Sequence, residues 1–445
     1  MKILFGILFI TLSLFSQISV KNAWQSVKSQ NHTLKASHAD VRYSQLKKES
    51  AEGMYLPSVS LTASYTRLNE SIGLDTSGAS HLLGSLPIPI HFPSKIDFLD
   101  QDIALVDLQI LYPLYMGGKI DAAQDAYAAK VAEEKAKYRL EEDKAFLELI
   151  KLYYGVVMTK SLYQTRLQSQ KALNLHYDYA KKLEKEGQIS RVELLNTQVK
   201  LDISKIETIK AKHKVEIVSS AFHRMIKSKS TPNSSLFVLN KIGSKYRYIN
   251  KSVKRYAVMD VLDAKSKQAS AMIDIEKSDW HPKVLGYANI NMYKGDSPIE
   301  ESVPDWMVGV GVKFDIFSRK DRAKEVEAAK VMRAKVASLK AQAKETLRLA
   351  VEKTYNEISL YKEEFYSLSS SLALAKENYK LRSLAFKEGL ATSVEVVDAQ
   401  MLLEGSKTQR LNAAYKYVKK LAELFVLSGE KRRFFRLEKS AKGIK

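Results

Sequence analysis

The sequence predicts a mainly α-helical fold with a small β part, built from two internal repeats. The observations behind this are a duplication with an offset of 202 residues, long helical patterns, and four short stretches of alternating polarity. The chain has 445 residues, 45% of them hydrophobic and 27% charged, so it can bury a core. Its 18 glycines and 9 prolines are few for this length, which favours long uninterrupted helices.

The duplication is clearest at two similar nine-residue segments. Residues 185–193 (KEGQISRVE) align with residues 387–395 (KEGLATSVE), an offset of 387 − 185 = 202. Residues 121–131 (DAAQDAYAAKV) likewise resemble residues 321–331 (DRAKEVEAAKV). Because these matches occur in the same order, we interpret the chain as two copies of one unit.

Each copy is predicted to contain a helix, a strand hairpin, a long helix, a tip turn and a return helix. We divide the chain into a signal peptide (1–19), repeat 1 (20–228), a linker (229–255), repeat 2 (256–430) and a basic C-terminal tail (431–445). In repeat 1 we place the hairpin at 57–116, the long helix at 118–185 and the turn at Gly187. In repeat 2 they lie at 282–317, 320–387 and Gly389.

The N-terminus is typical of a secretory signal. Met1 and Lys2 precede an apolar run over residues 3–15, and small and polar residues follow. Cleavage after Ser16 and cleavage after Ser19 both fit this pattern. The alternative is a buried first helix of the fold.

Charge and cysteine content exclude several classes. The chain has no cysteine, which excludes disulfides and a lipid-modified N-terminal cysteine. The net charge is +21, but Lys and Arg are spread along the polar faces of the predicted helices. We therefore expect solvated helix faces rather than a nucleic-acid partner, with an anionic surface as the alternative.

The four alternating stretches predict strands with one apolar face. Val59, Leu61, Ala63 and Tyr65, for example, alternate with polar residues over 58–66. Membrane barrels need such strands, whereas a soluble sheet packed on the helices is the alternative. Four strands cannot close, and the smallest outer-membrane barrels use about eight. A barrel must then be shared, with eight strands from a dimer or twelve from a trimer.

Signatures of enzymes are missing from the sequence. The eight histidines form no His-x-x-x-His pair, and neither a phosphate-binding loop nor a Gly-x-Ser-x-Gly motif occurs. We therefore predict no catalytic residues, no metal site and no cofactor. A soluble periplasmic coiled-coil adaptor or scaffold is the alternative function; it explains the signal and the helices but not the strands.

The order of these features resembles the TolC-like outer-membrane factor family, the outer membrane efflux proteins, over about residues 21–430. The matching motifs are residues 56–58 (Leu-Pro-Ser), residues 113–118 (Pro-Leu-Tyr-Met-Gly-Gly) and the doubled tip pattern Glu-Gly-x-x-x-x-Val-Glu. Residues 315–319 (Asp-Ile-Phe-Ser-Arg) depart from the proline-glycine motif in the second copy.

This resemblance implies a homotrimer in the cell outer membrane, with a large periplasmic part. Four strands per chain would contribute to a shared twelve-stranded β-barrel, and long antiparallel helices would form a periplasmic α-barrel. The function implied is a channel subunit of a tripartite efflux or type I secretion system. Its partners would be outer-membrane lipid, an inner-membrane transporter and a periplasmic adaptor (membrane fusion) protein, which docks at Gly187 and Gly389.

The resemblance also implies roles for acidic residues near the tips. Glu395 and Asp398 occupy positions that form the pore constriction in the family, and Glu193 occupies a latch position. The usual arginine partner of the latch is replaced by Ala391, so Arg191 is the candidate substitute. A solvated helix face is the alternative for all three acids.

Overall fold

The computed structural model describes residues 17–79, 95–295, 297–440 and 443. Most of the predicted signal peptide, residues 1–16, lies outside the described residues. The chain divides into two compact units, each with segments from both repeats. Residues 42–131 and 264–337 form the sheet unit, and the remaining described residues form the helical unit.

The helices match the predicted order. They are α1 (Val20–Gln30), α2 (His32–Glu52), α3 (Lys119–Lys185), α4 (Arg191–Ile226), α5 (Lys245–Arg255), α6 (Ala257–Ser278), α7 (Pro298–Ser302), α8 (Arg322–Lys387), α9 (Ser393–Leu427) and α10 (Lys431–Ser440). The long helices α3 and α8 have 67 and 66 residues. In the described part of the chain, no helix has both the length and the hydropathy to cross a membrane.

The strands of the described residues form three sheets. They are β1 (Gln17–Ile18), β2 (Ser58–Arg67), β3 (Ile72–Asp75), β4 (Lys95–Leu99), β5 (Asp102–Tyr115), β6 (Thr231–Pro232), β7 (Lys283–Tyr293) and β8 (Trp306–Lys313). The main sheet has the order β2-β5-β7-β8 and is antiparallel throughout. Its central β5–β7 pair joins the two repeats, while β2 and β8 form its two edges.

Within the part of the chain that the structure describes, the main sheet has no apolar core cluster. All three apolar core clusters of the described residues lie in the helical unit. In the main sheet Leu61 is 63% exposed and Val308 is 71% exposed. Apolar strands exposed this fully need another surface to cover them, because water solvates them poorly.

Three boundaries differ from the sequence prediction. The linker 229–255 contains helix α5, and the C-terminal tail 431–445 contains helix α10. Both are short basic helices with an apolar side; Phe434 of α10 is fully buried, with its ring centroid 5.8 Å from that of Phe146. The strand predicted to extend toward residue 317 ends at Lys313, and beyond it Phe317 is 92% exposed.

Candidate functional site at the helix tips

Each long helix ends in a turn that requires glycine. Gly187 and Gly389 have φ values of 76° and 71°, in the left-handed region that disfavours side chains. The N–H of Gln188 donates to the carbonyl five residues earlier at 2.8 Å, and that of Leu390 does the same at 2.8 Å. These bonds satisfy carbonyls at the helix end, so both tips have the same glycine-capped geometry.

Each return helix begins with a hydroxyl cap. Ser190 Oγ accepts from the Glu193 N–H at 3.2 Å, and Thr392 Oγ1 accepts from the Glu395 N–H at 3.3 Å. Glu395 completes a capping box, because its Oε2 accepts from the Thr392 N–H at 2.8 Å. Glu193 makes no such return bond; its carboxylate points to the other tip.

Glu193 links the two tips directly. Its Oε1 accepts a hydrogen bond from the backbone N–H of Ser393, the first residue of α9. A carboxylate is favoured there because unpaired N–H groups give a helix N-terminus a partial positive charge. The interaction therefore holds the first tip against the start of the second return helix.

A buried hydroxyl network continues this link. Ser393 is fully buried, and its Oγ lies 2.7 Å from Thr197 Oγ1 and 2.7 Å from His176 Nε2. The Thr197 hydroxyl donates its single proton to the Glu193 carbonyl at 2.9 Å. Its oxygen therefore accepts from the Ser393 hydroxyl. Ser393 in turn accepts from His176, which assigns the proton to Nε2 of that ring.

His176 is held in its neutral form. Burial lowers the pKa of His176, while the Ser393 hydrogen bond and the Glu193 charge act in the opposite direction. The ring packs against Phe386, with 4.7 Å between ring centroids. Since the described groups around this imidazole come from both tips, its protonation state affects their packing.

The lowered pKa predicts that acid loosens the tips. In the unfolded chain His176 takes up its proton at a higher pH than in the folded chain. The stability it contributes is therefore complete above the ordinary histidine pKa and is lost as pH falls through the lowered folded value. As pH falls below the ordinary histidine pKa, we expect protection from amide hydrogen exchange, corrected for the intrinsic exchange rate at each pH, to decrease in residues 183–197 and 386–400.

Two variants distinguish the effect of His176 protonation from other effects of low pH. His176→Asn removes the titrating group, so protection from exchange at the tips, corrected for the intrinsic rate, should become nearly independent of pH. His213 is exposed, and its ion-pair partner among the described residues is nearby Glu216, so His213→Asn should keep the wild-type acid response. An unchanged acid response in His176→Asn would contradict the assignment.

The polar contacts continue along a seam between α3 and α9. This α3–α9 seam consists of four layers: His176 with Ser393, Leu173 with Val397, Ser169 with Gln400, and Arg166 with Glu404. Successive layers are three or four residues apart on each helix, and the residue numbers fall along α3 while they rise along α9, as in an antiparallel coiled coil. A slipped register would leave buried polar groups without partners, so the seam fixes how the two repeats align.

The two predicted pore residues have different surroundings. Glu395 Oε1 accepts from Arg382 Nη1 at 2.7 Å. The Thr392 N–H bond, together with the Arg382 charge, lowers the pKa of Glu395, so this carboxylate is ionised at neutral pH. Asp398 is exposed and pairs with none of the described residues. Three positions apart on α9, the two acids share one side of the helix.

The predicted latch residues are not brought together in this chain. Arg191 Nη1 lies 3.4 Å from Glu184 Oε1, within the first tip, while Glu193 bonds to Ser393. The Glu193 carboxylate therefore bonds to a backbone N–H and not to Arg191. Sequence reasoning missed His176, Thr197 and Ser393 as a group, although residues 166, 169, 173 and 176 already show the 3-4-3 spacing of a seam.

A groove of about 370 Å³ lies between the tips. Glu193 and Glu395 line it together with apolar side chains of both turns, among them Ile189 and Leu390. Leu390 is 81% exposed and Val192 is 66% exposed, so apolar surface is presented where the helices reverse. Such exposed surface favours contact with another protein.

Comparison with known proteins supports the architecture. Three solved outer-membrane proteins have similar folds. CusC is 11% identical with a TM-score of 0.76, and the match covers 93% of this chain and 92% of that chain. VceC from Vibrio cholerae is 13% identical with a TM-score of 0.74, covering 93% and 96%. CmeC from Campylobacter jejuni is 12% identical with a TM-score of 0.74, covering 95% and 90%.

A family model assigns the chain more directly. The model for outer membrane efflux proteins matches residues 23–225 and 250–430, one segment for each repeat. A search of curated proteins found no match. The predicted fold class, two-repeat organisation and outer-membrane location with a periplasmic part are confirmed. The chain belongs to the outer membrane efflux protein family, whose members are TolC-like channels of the outer membrane rather than enzymes.

Proposed function

We propose that this chain is the outer-membrane subunit of a tripartite efflux or type I secretion system, working as a homotrimer. The main support for this proposal is the main sheet. Its two outer strands have unpaired edges, and its strands expose apolar side chains. Unpaired edges tend to recruit further strands. Three copies supply twelve strands, enough to close a barrel in lipid.

The proposed partners are a periplasmic adaptor at the tips and an inner-membrane transporter behind it. Support comes from the groove between the tips and from the exposed apolar side chains Val192 and Leu390 beside the turns at Gly187 and Gly389. A soluble scaffold is less favoured, since a single soluble chain would leave the apolar side chains of the main sheet in water.

A charged tip should abolish export without preventing assembly. In cells lacking the chromosomal copy, Leu390→Asp is expected to reach the outer membrane in normal amounts and to restore no export. The exposed side chain supports no core, so folding is spared, whereas an apolar partner would have to bury the new carboxylate. Leu390→Met is the control and should restore export. Full export by Leu390→Asp would contradict tip docking.

Glu395 and Asp398 are proposed to line the constriction. Three copies would place six carboxylates around one axis and favour cations. We expect the variant Glu395→Gln with Asp398→Asn to lower the cation-to-anion permeability ratio toward one in planar bilayers. Glutamine keeps an acceptor for the Thr392 N–H, so the helix start is preserved.

A control of equal charge tests whether the position matters. Asp202→Asn with Glu207→Gln removes the same charge from α4 and should leave selectivity unchanged. If the two double variants have the same selectivity, the acids of α9 do not line the constriction.

A further inference from the structure

We infer that the signal peptide is cleaved between Ser16 and Gln17, so that the exported chain begins at Gln17. The sequence pattern fits this bond and the bond after Ser19 equally well. The two differ in whether residues 17–19 remain in the mature protein. Contacts made by those three residues separate the alternatives.

Gln17 and Ile18 form strand β1. They pair in parallel with Thr231 and Pro232 of β6, which follows the first return helix. The Ile18 carbonyl accepts from the Asn233 N–H at 3.2 Å. Residues 17 and 18 are thus part of the folded helical unit, although they directly follow the predicted signal.

Tyr153 ties the same carbonyl into the core. Its hydroxyl donates to the Ile18 carbonyl at 2.8 Å, the shortest of its hydrogen bonds, and the residue is fully buried. Cleavage after Ser19 would remove this acceptor from a buried hydroxyl. It would also remove the strand beside Thr231 and Pro232.

Ser19 starts helix α1. Its Oγ accepts from the Asn22 N–H at 3.3 Å and its carbonyl accepts from the Ala23 N–H at 2.9 Å, so Ser19 is the helix cap. The next residue, Val20, is fully buried. Cleavage after Ser19 would place the new positively charged amino group at the N-terminus of α1, where the helix dipole disfavours positive charge, and would remove the cap.

Gln17 suits the mature N-terminus better. It is exposed, so water can solvate its amino group. The cap, the strand and the Tyr153 hydrogen bond all remain after cleavage at Ser16. Gln17 can also cyclise; its amino nitrogen then bonds to the side-chain carbonyl carbon, and the side-chain nitrogen leaves as ammonia.

Mass spectrometry of the N-terminal peptide tests this inference on protein purified from outer membranes. The expected peptide begins at Gln17, either free or lighter by one ammonia, and both forms support the assignment. A peptide that begins at Val20, or at any other residue, overturns it.

Two aspartate variants provide an independent test. Signal cleavage needs a small, uncharged residue before the bond, so Ser16→Asp should accumulate precursor in whole cells. Ser19→Asp keeps a good helix cap and should be processed normally, again starting at Gln17. Normal processing of Ser16→Asp, or a block in Ser19→Asp, overturns the inference.

Discussion

Leu61→Arg is expected to remove most of the assembled protein from the outer membrane, whereas Thr62→Arg is expected to leave it. The two residues are neighbours in β2 and their side chains point to opposite faces of the sheet. Leu61 lies on the apolar face beside Leu108, which would contact lipid. An arginine on the lipid face of a membrane barrel costs up to about 2–4 kcal/mol, and in the proposed trimer three copies would triple the penalty.

Thr62 is the matched control for charge and size. It lies on the polar face, opposite Asp107 of β5, so an arginine there gains an acidic neighbour. Immunoblots of outer-membrane fractions from unheated samples measure the assembled form. Equal losses in both variants would show that the sheet does not separate a lipid face from a polar face.

Arg166→Ala should strongly destabilise the helical unit. Arg166 Nη1 pairs with Glu404, whose side chain is only 8% exposed, in the last layer of the α3–α9 seam. Truncating one partner leaves the other charge buried without compensation, at a typical cost of about 3–5 kcal/mol. We expect a clearly lower unfolding temperature for purified protein in detergent.

The reciprocal double variant distinguishes the buried charge from simple loss of packing. Replacing both Arg166 and Glu404 with leucine removes both charges and should recover most of the lost stability. If Arg166→Ala alone is as stable as wild type, the ion pair does not stabilise the seam.

The sequence was sufficient to predict the long helices and the tip turns. Few breakers interrupt residues 119–185 and 322–387, and a glycine follows each, so the predicted ends lie within two residues of the observed ones. The turns were predictable because each short segment contains two signals. Gly187 or Gly389 ends one helix, and Ser190 or Thr392 three residues later caps the next. The duplication then predicted equivalent turns in both copies.

The missed features depend on contacts between distant parts of the chain. Glycine and proline near residues 232 and 243 suggested a linker, although α5 packs its apolar side on the core through Tyr248. The network at Ser393 joins residues about 200 positions apart, and local pattern does not encode such pairing. From its sequence context, Ser393 could not be distinguished from an ordinary residue at the start of a helix.

The mass of the intact assembly tests the central claim most directly. Protein extracted from outer membranes in mild detergent, without heating, should give a native mass of three mature chains plus bound detergent or lipid. Boiling should convert it to single chains, because the proposed strand pairing between copies would be non-covalent and the chain has no cysteine. A monodisperse single chain in the soluble periplasmic fraction would contradict the shared barrel and favour a scaffold.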